Sequence, residues 1–129
     1  MTTITIVDES TLGEKRAWSL ELLEETLSLR ELLRRRIYQE VTEHNAQQAG
    51  FFYGLVQPTD AERVLNGSRP KPPYRLDWQA QYEKAVEAFA RRGYIILIND
   101  QQAADLDTSV ELHTDTEVTF LKLVPLVGG

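Results

Sequence analysis

With 129 residues, no cysteine, and 20 acidic against 14 basic side chains, the chain carries a formal net charge of −6. Disulfides, thiolate metal sites and cysteine nucleophiles are excluded, and the acidic balance argues against nucleic acid or an anionic membrane as partner, since both need a basic footprint. The length suits a single domain, expected to span 1–129, able to bury a core without staples, and no run approaches the roughly 18 apolar residues of a membrane span.

No basic-then-apolar leader opens the chain, so a cytoplasmic protein is the simplest expectation. Residues 3–7 alternate β-branched side chains and predict a strand with Ile4 and Ile6 on one face. A polar stretch, 8–16, contains Gly13 and reads as a hairpin connection. Trp18, Leu20 and Leu22 alternate with Ser19 and Glu21, which predicts a second strand antiparallel to the first. Ser28 and Glu31 stand at capping-box spacing, where each side chain satisfies a free backbone donor at a helix start. Behind them Leu29, Leu32, Leu33, Ile37 and Val41 share one helical face, with Arg30, Arg34, Arg35, Glu40 and Glu43 mostly elsewhere, and the helix is expected to fade over 44–48.

The middle is punctuated by Pro and Gly. Residues 51–56 read as a strand, 60–65 as a short helical turn, Asn66-Gly67 as a tight turn, and 70–73 as an irregular Pro-rich loop. Asp77 is placed to cap a second helix over 78–92, with Tyr82, Val86 (or Ala85) and Phe89 inward and Gly93 as its stop. The continuous apolar run 94–98 predicts a buried strand, 99–106 a turn, 110–112 a brief extended piece, and 117–121 the last strand after a turn at Thr114-Asp115.

Few side chains suggest chemistry of their own. His44 and His113 have no evident partner and read as surface or structural residues. Asp100, Asp105, Asp107 and Asp115 lack the glycine and terminal glutamate of a calcium loop and read as solvated turns. Arg30, Arg34, Arg35 and Arg36 make a locally basic helix, read as solvated pairing with Glu31 and Glu40 or as contact with an acidic partner face. Lys15, Lys71, Lys84 and Lys122 are the only lysines, and Lys71 in the Pro-rich loop looks the most accessible for self-linkage.

The last residues are the most informative. Phe120, Leu121, Leu123, Val124, Leu126 and Val127 form an apolar tail interrupted by Pro125 and closed by Gly128-Gly129. Glycine passes through channels where a Cβ would clash, and Pro125 removes a donor and discourages pairing onto the sheet. With glycine near 7% of average usage, a chance terminal pair arises in about one chain in 200, so Gly-Gly alone is only suggestive.

The order strand, hairpin, strand, capped helix, buried strand, final strand and Gly-Gly is that of a β-grasp domain. The runs 94–102 and 115–129, with Asp107-Thr108 between them, resemble the C-terminal half of the small sulfur carriers, the molybdopterin synthase small subunit and the thiamine-pathway carrier. Their ends typically run Asp-Glu-Val, an apolar strand, a short apolar-Pro tail and Gly-Gly. The N-terminal hairpin followed by residues 26–33 is similar to the same family and to ubiquitin-like proteins generally, on topology and pattern. The resemblance covers about 3–48 and 94–129.

This resemblance implies an α+β, ubiquitin-like β-grasp, a mixed sheet with one main helix packed on it. Residues 49–93 would be an insertion carrying a second helix, and 122–129 an extended C-terminal tail. The insertion exceeds what a simple sulfur donor requires and moves the expectation toward a protein modifier of the bacterial ubiquitin-like conjugation type. In that reading Gly128 and Gly129 are the conjugation site, and Leu123, Pro125, Leu126 and Val127 dock on a ubiquitin-activating-like adenylating enzyme that uses ATP. A conjugating enzyme, a deconjugating protease and target proteins complete the implied partners. Two alternatives stay open: a sulfur carrier loaded as a C-terminal thiocarboxylate for cofactor or tRNA thiolation, and a non-covalent β-grasp binding module. The chain is expected to be a substrate of partner enzymes, with no catalytic residue, metal or bound cofactor of its own.

Overall fold

The structure, a computed structural model, describes residues 1–47, 51–59, 62–64, 67–69 and 75–124. In chain order the first elements are β1 (Thr2–Ser10), β2 (Lys15–Leu22), β3 (Thr26–Ser28), α1 (Leu29–Gln47), β4 (Glu62–Val64) and β5 (Gly67–Arg69). Then follow α2 (Trp78–Ala90), β6 (Tyr94–Ile98), β7 (Gln101–Ala103), β8 (Ser109–Glu111) and β9 (Glu117–Lys122). The fold is α+β: a mixed sheet of five strands with one main helix and a second helix, consistent with a β-grasp. Two compact units divide the chain, Met1–Leu32 with Phe89–Gly129, and Leu33–Ala88.

The first unit holds the five-stranded sheet, in the order β2-β1-β9-β6-β7. β1 and β9 run parallel and the other neighbours antiparallel, so the last strand is central. Cross-strand register puts Ile4 opposite Leu20, Ile6 opposite both Trp18 and Val118, and Ile96 opposite Phe120. Residues directly opposite share a face, and these positions form the buried one: Ile4, Ile6, Leu20, Ile96, Val118 and Phe120 are all almost wholly removed from water. Each such burial contributes about 1.5–3 kcal/mol. Tyr94 lies between the rings of Phe89 and Phe120, with centroids 5.8 and 6.2 Å away.

β1 and β2 are longer than the apolar alternation predicts, because pairing continues through Asp8 opposite Arg16 and Glu9 opposite Lys15, where opposite charges face each other. Only residues 11–14 remain for the turn, and Gly13 takes φ 96° there, a conformation that costs a glycine little. The expected turn over 99–106 is two things. Asn99 and Asp100, at φ 47° and 69°, make a two-residue connection, and β7 then pairs back on β6. A second small sheet joins β3 to β8. At the start of α1 the serine half of the expected capping box is in place, with the Glu31 amide donating to Ser28 Oγ at 3.1 Å.

In the second unit the apolar face of α1 continues as buried Leu33, Ile37 and Val41. Here the structure departs from the sequence reading in several places. Residues 51–56 form bends with a lone bridge at Phe52 instead of a strand. The reason is that the Leu55 amide donates to the Glu40 carboxylate, 3.2 Å away, and not to a ladder. Residues 62–64 are β4, antiparallel to β5 with Val64 opposite Gly67, where a helical turn was expected. A two-residue link imposes hairpin pairing on the segments it joins. On α2 the buried positions are Ala85, the expected alternative to Val86, and Gln81, which was not expected, whereas Tyr82, Val86 and Phe89 are only half-buried. Gln81 faces inward because its amide nitrogen donates to the Val56 carbonyl at 3.0 Å. The left-handed residue ending this helix is Arg92, at φ 60°, not Gly93. Asp77 caps as expected, accepting from the Gln79 amide at 3.1 Å. The Asn66-Gly67 turn (at Asn66), residues 70–73 and Lys71 lie outside the described residues.

Candidate functional site

β9 delivers the chain to the predicted site. Its two flanking strands end at the same level, so the chain emerges from the middle of the sheet with a neighbour on each side. On the β6 side, Tyr94 faces Lys122 and the next rung runs from the Leu123 amide to the Gly93 carbonyl, 3.0 Å. On the β1 side, Ser10 faces Lys122 and the Thr11 amide donates to the Lys122 carbonyl at 3.0 Å. There β1 turns away into the hairpin, and no further backbone acceptor follows. The Thr11 hydroxyl takes that place: the Val124 amide donates to Oγ1 at 2.9 Å, and Oγ1 lies 3.5 Å from the Val124 carbonyl oxygen as donor.

The hairpin that carries Thr11 is itself braced. Ser10 receives the Gly13 amide on its carbonyl at 2.9 Å and the Leu12 amide on its Oγ at 3.1 Å, and its own amide donates to Glu14 at 2.9 Å. Leu12 is 69% exposed at the tip, and Leu123 and Val124 are each 37% exposed. The chemistry of this place is that of an anchored strand end with apolar side chains facing solvent. Of the residues singled out from sequence, Leu123 is therefore located, exposed and held through its backbone. Pro125, Leu126, Val127, Gly128 and Gly129 lie outside the described residues.

The other sequence candidates are dispersed. His44 is buried and meets the Phe52 ring edge-on, centroids 5.4 Å apart. His113 is exposed, 3.6 Å from Glu111. Asp105 accepts the Asp107 amide at 2.9 Å, Asp107 accepts Arg30 Nε at 3.2 Å, and Asp100 and Asp115 sit in exposed turns. Among the described residues no cluster of three His, Asp or Glu is arranged to hold a metal ion. Nor, among them, is any helix long and apolar enough to cross a membrane. The arginines do not share one fate: Arg30 pairs with Asp107, Arg34 lies 5.3 Å from the Trp78 ring centroid, and Arg36 is fully buried against Glu40. A solvated reading of Arg36 is thus corrected, since a buried carboxylate one turn on helps make such burial tolerable.

Sequence reasoning missed two features. Thr11 read as a hairpin residue, and nothing local marks it as the partner of Val124, 113 positions away. The second unit also has an open groove of about 500 Å³, lined by Tyr38, Asn45, Leu76 and Trp78 among others. Tyr38 and Trp78 meet edge-to-face at 5.5 Å, and Asn45 grips the Leu76 backbone by both its amide and its carbonyl, at 2.8 and 3.0 Å. Comparison with protein-family models, with curated proteins and with solved structures returns no match.

Proposed function

We propose that this chain is a ubiquitin-like protein modifier, activated through the Gly129 carboxylate, whether that group is encoded or exposed by processing. The observation that supports it best is β9, the central strand of a β-grasp-like sheet, which leads into an anchored and solvent-facing root at Leu123 and Val124, separated from the Gly-Gly by three residues in sequence. A partner enzyme supplies the chemistry. The carboxylate oxygen attacks the α-phosphorus of ATP and pyrophosphate leaves, giving an acyl-adenylate. A partner's cysteine thiol then displaces AMP as a thioester, and a target amine displaces the thiol to leave an amide. This chain holds no cysteine, so the thioester forms on the partner. Its own contribution is presentation: Leu123 and Val124 offer apolar contact, and two glycines without Cβ atoms suit a narrow channel. The second unit, with its own hairpin, helix and groove, is material that a plain sulfur donor does not need, which favours the modifier over the sulfur carrier.

The test is a denaturing blot of N-terminally tagged protein from its native host, wild type beside a Gly129 deletion, with intact mass of the free form. A ladder of heavier bands that disappears in the deletion is the expected result. A single band carrying an oxygen-to-sulfur mass change would make the chain a sulfur carrier. A single unmodified band, with function kept in the deletion, would leave a non-covalent binding module.

A further inference from the structure

We infer that Thr11 is the positioning residue for the C-terminal tail, its hydroxyl fixing the direction of the chain at Val124, ahead of the tail that carries Gly129; this role rests on the activation of Gly129 proposed above. The argument starts from the ladder. A central strand keeps its direction only while both neighbours supply hydrogen-bond partners. At Leu123 the β6 side still supplies one, the Gly93 carbonyl. At Val124 the β1 side has none of its own, because the backbone after Thr11 turns toward Gly13. The Thr11 side chain replaces the missing rung, receiving the Val124 amide at 2.9 Å while its own amide still holds Lys122 at 3.0 Å.

One residue therefore grips two successive carbonyl–amide units of the departing chain. Pro125 follows at once and has no N–H to offer. Val124 is thus the last amide before the Pro, and Thr11 is its partner. Gly129 is the fifth residue after Val124, so the carboxylate reaches no further than about 18 Å from this clamp. Releasing Val124 adds one more backbone residue to be ordered when the tail enters an activating site, a cost equivalent to about five- to thirtyfold in productive binding. Thr11 is exposed and takes no part in the buried face of the sheet, so its replacement leaves the fold intact. The β-branched valine also suits the strand end.

The experiment uses the full chain as wild type, Thr11→Val and Thr11→Ser. In the purified protein, amide exchange at Val124 should quicken about five- to tenfold in Thr11→Val and recover in Thr11→Ser, with Leu123 and Val118 unchanged. In the native host, Gly129-dependent product should fall at least about fivefold in Thr11→Val and return in Thr11→Ser, at equal melting temperatures. Unchanged Val124 exchange overturns the clamp. Undiminished product in Thr11→Val overturns the positioning role. Absence of product from wild type itself sinks the activation of Gly129 and with it any role for Thr11 in transfer. The exchange measurement still decides separately whether the clamp exists, so the two failures are told apart.

Discussion

Glu40 carries more of the second unit than its residue type suggests. One oxygen pairs with Arg36, which is 0% exposed, and the other accepts the Leu55 amide, while the residue itself is only 8% exposed. Gly54 is part of the same arrangement, since a Cβ there would collide with the Phe52 ring and the Glu40 carboxylate. A buried guanidinium is tolerable with its carboxylate and costly without it. Glu40→Ala should therefore destabilise the protein by about 3–5 kcal/mol, read as a lower urea midpoint at constant slope. Glu40→Gln keeps an acceptor for the Leu55 amide and should cost less than the alanine. The pair was legible as an i, i+4 spacing. Its burial was not, because the same spacing on a solvated face looks identical.

Among the elements, the helix starts were the more readable ends. Ser28 before α1 and Asp77 before α2 both act through a side-chain oxygen within three residues of the amide they receive, so the signal is local. α2 ends at Ala90, two residues short of the expected 92, and the chain puts a non-glycine, Arg92, in the left-handed region beside an available Gly93. That conformation costs an L-residue about 1–2 kcal/mol, and a glycine returns part of the gain as chain entropy. Arg92→Gly should stabilise by about 0.5–1 kcal/mol, seen as a rise of a few degrees in Tm. Asn99→Gly should gain nothing comparable. Asn tolerates positive φ, and the Asn99 carboxamide oxygen accepts the Glu117 amide at 2.9 Å, tying the β6–β7 turn to the start of β9.

At the scale of the molecule, the sheet is closed from its centre by β9. That strand lies between β1, parallel to it, and β6, antiparallel, so the first unit cannot complete its sheet until segments more than a hundred residues apart have met. Phe120 is the largest apolar side chain at that centre, opposite Ile96 and packed on Tyr94. Phe120→Ala should cost about 3–5 kcal/mol, measured by denaturant unfolding, because the sheet around it relaxes only in part. The same centrality gives the tail a rooted exit, which is what the proposed activation of Gly129 requires.

Legible from residue order alone were the α+β class, the capped main helix, the second helix, the strands around Ile4 to Val7, Trp18 to Leu22, Tyr94 to Ile98 and Glu117 to Leu121, and the Gly-Gly motif. Those signals repeat at two, three or four residues, within reach of a local pattern. Long-range packing settled the rest: residues 51–56 are bends, 62–64 pair as a strand, Gln81 turns inward, Arg36 and Glu40 are buried together, and Thr11 meets Val124. Each depends on a partner distant in sequence or on a polar side chain substituting for a ladder rung. Such choices follow from where buried donors find acceptors, which no local periodicity records.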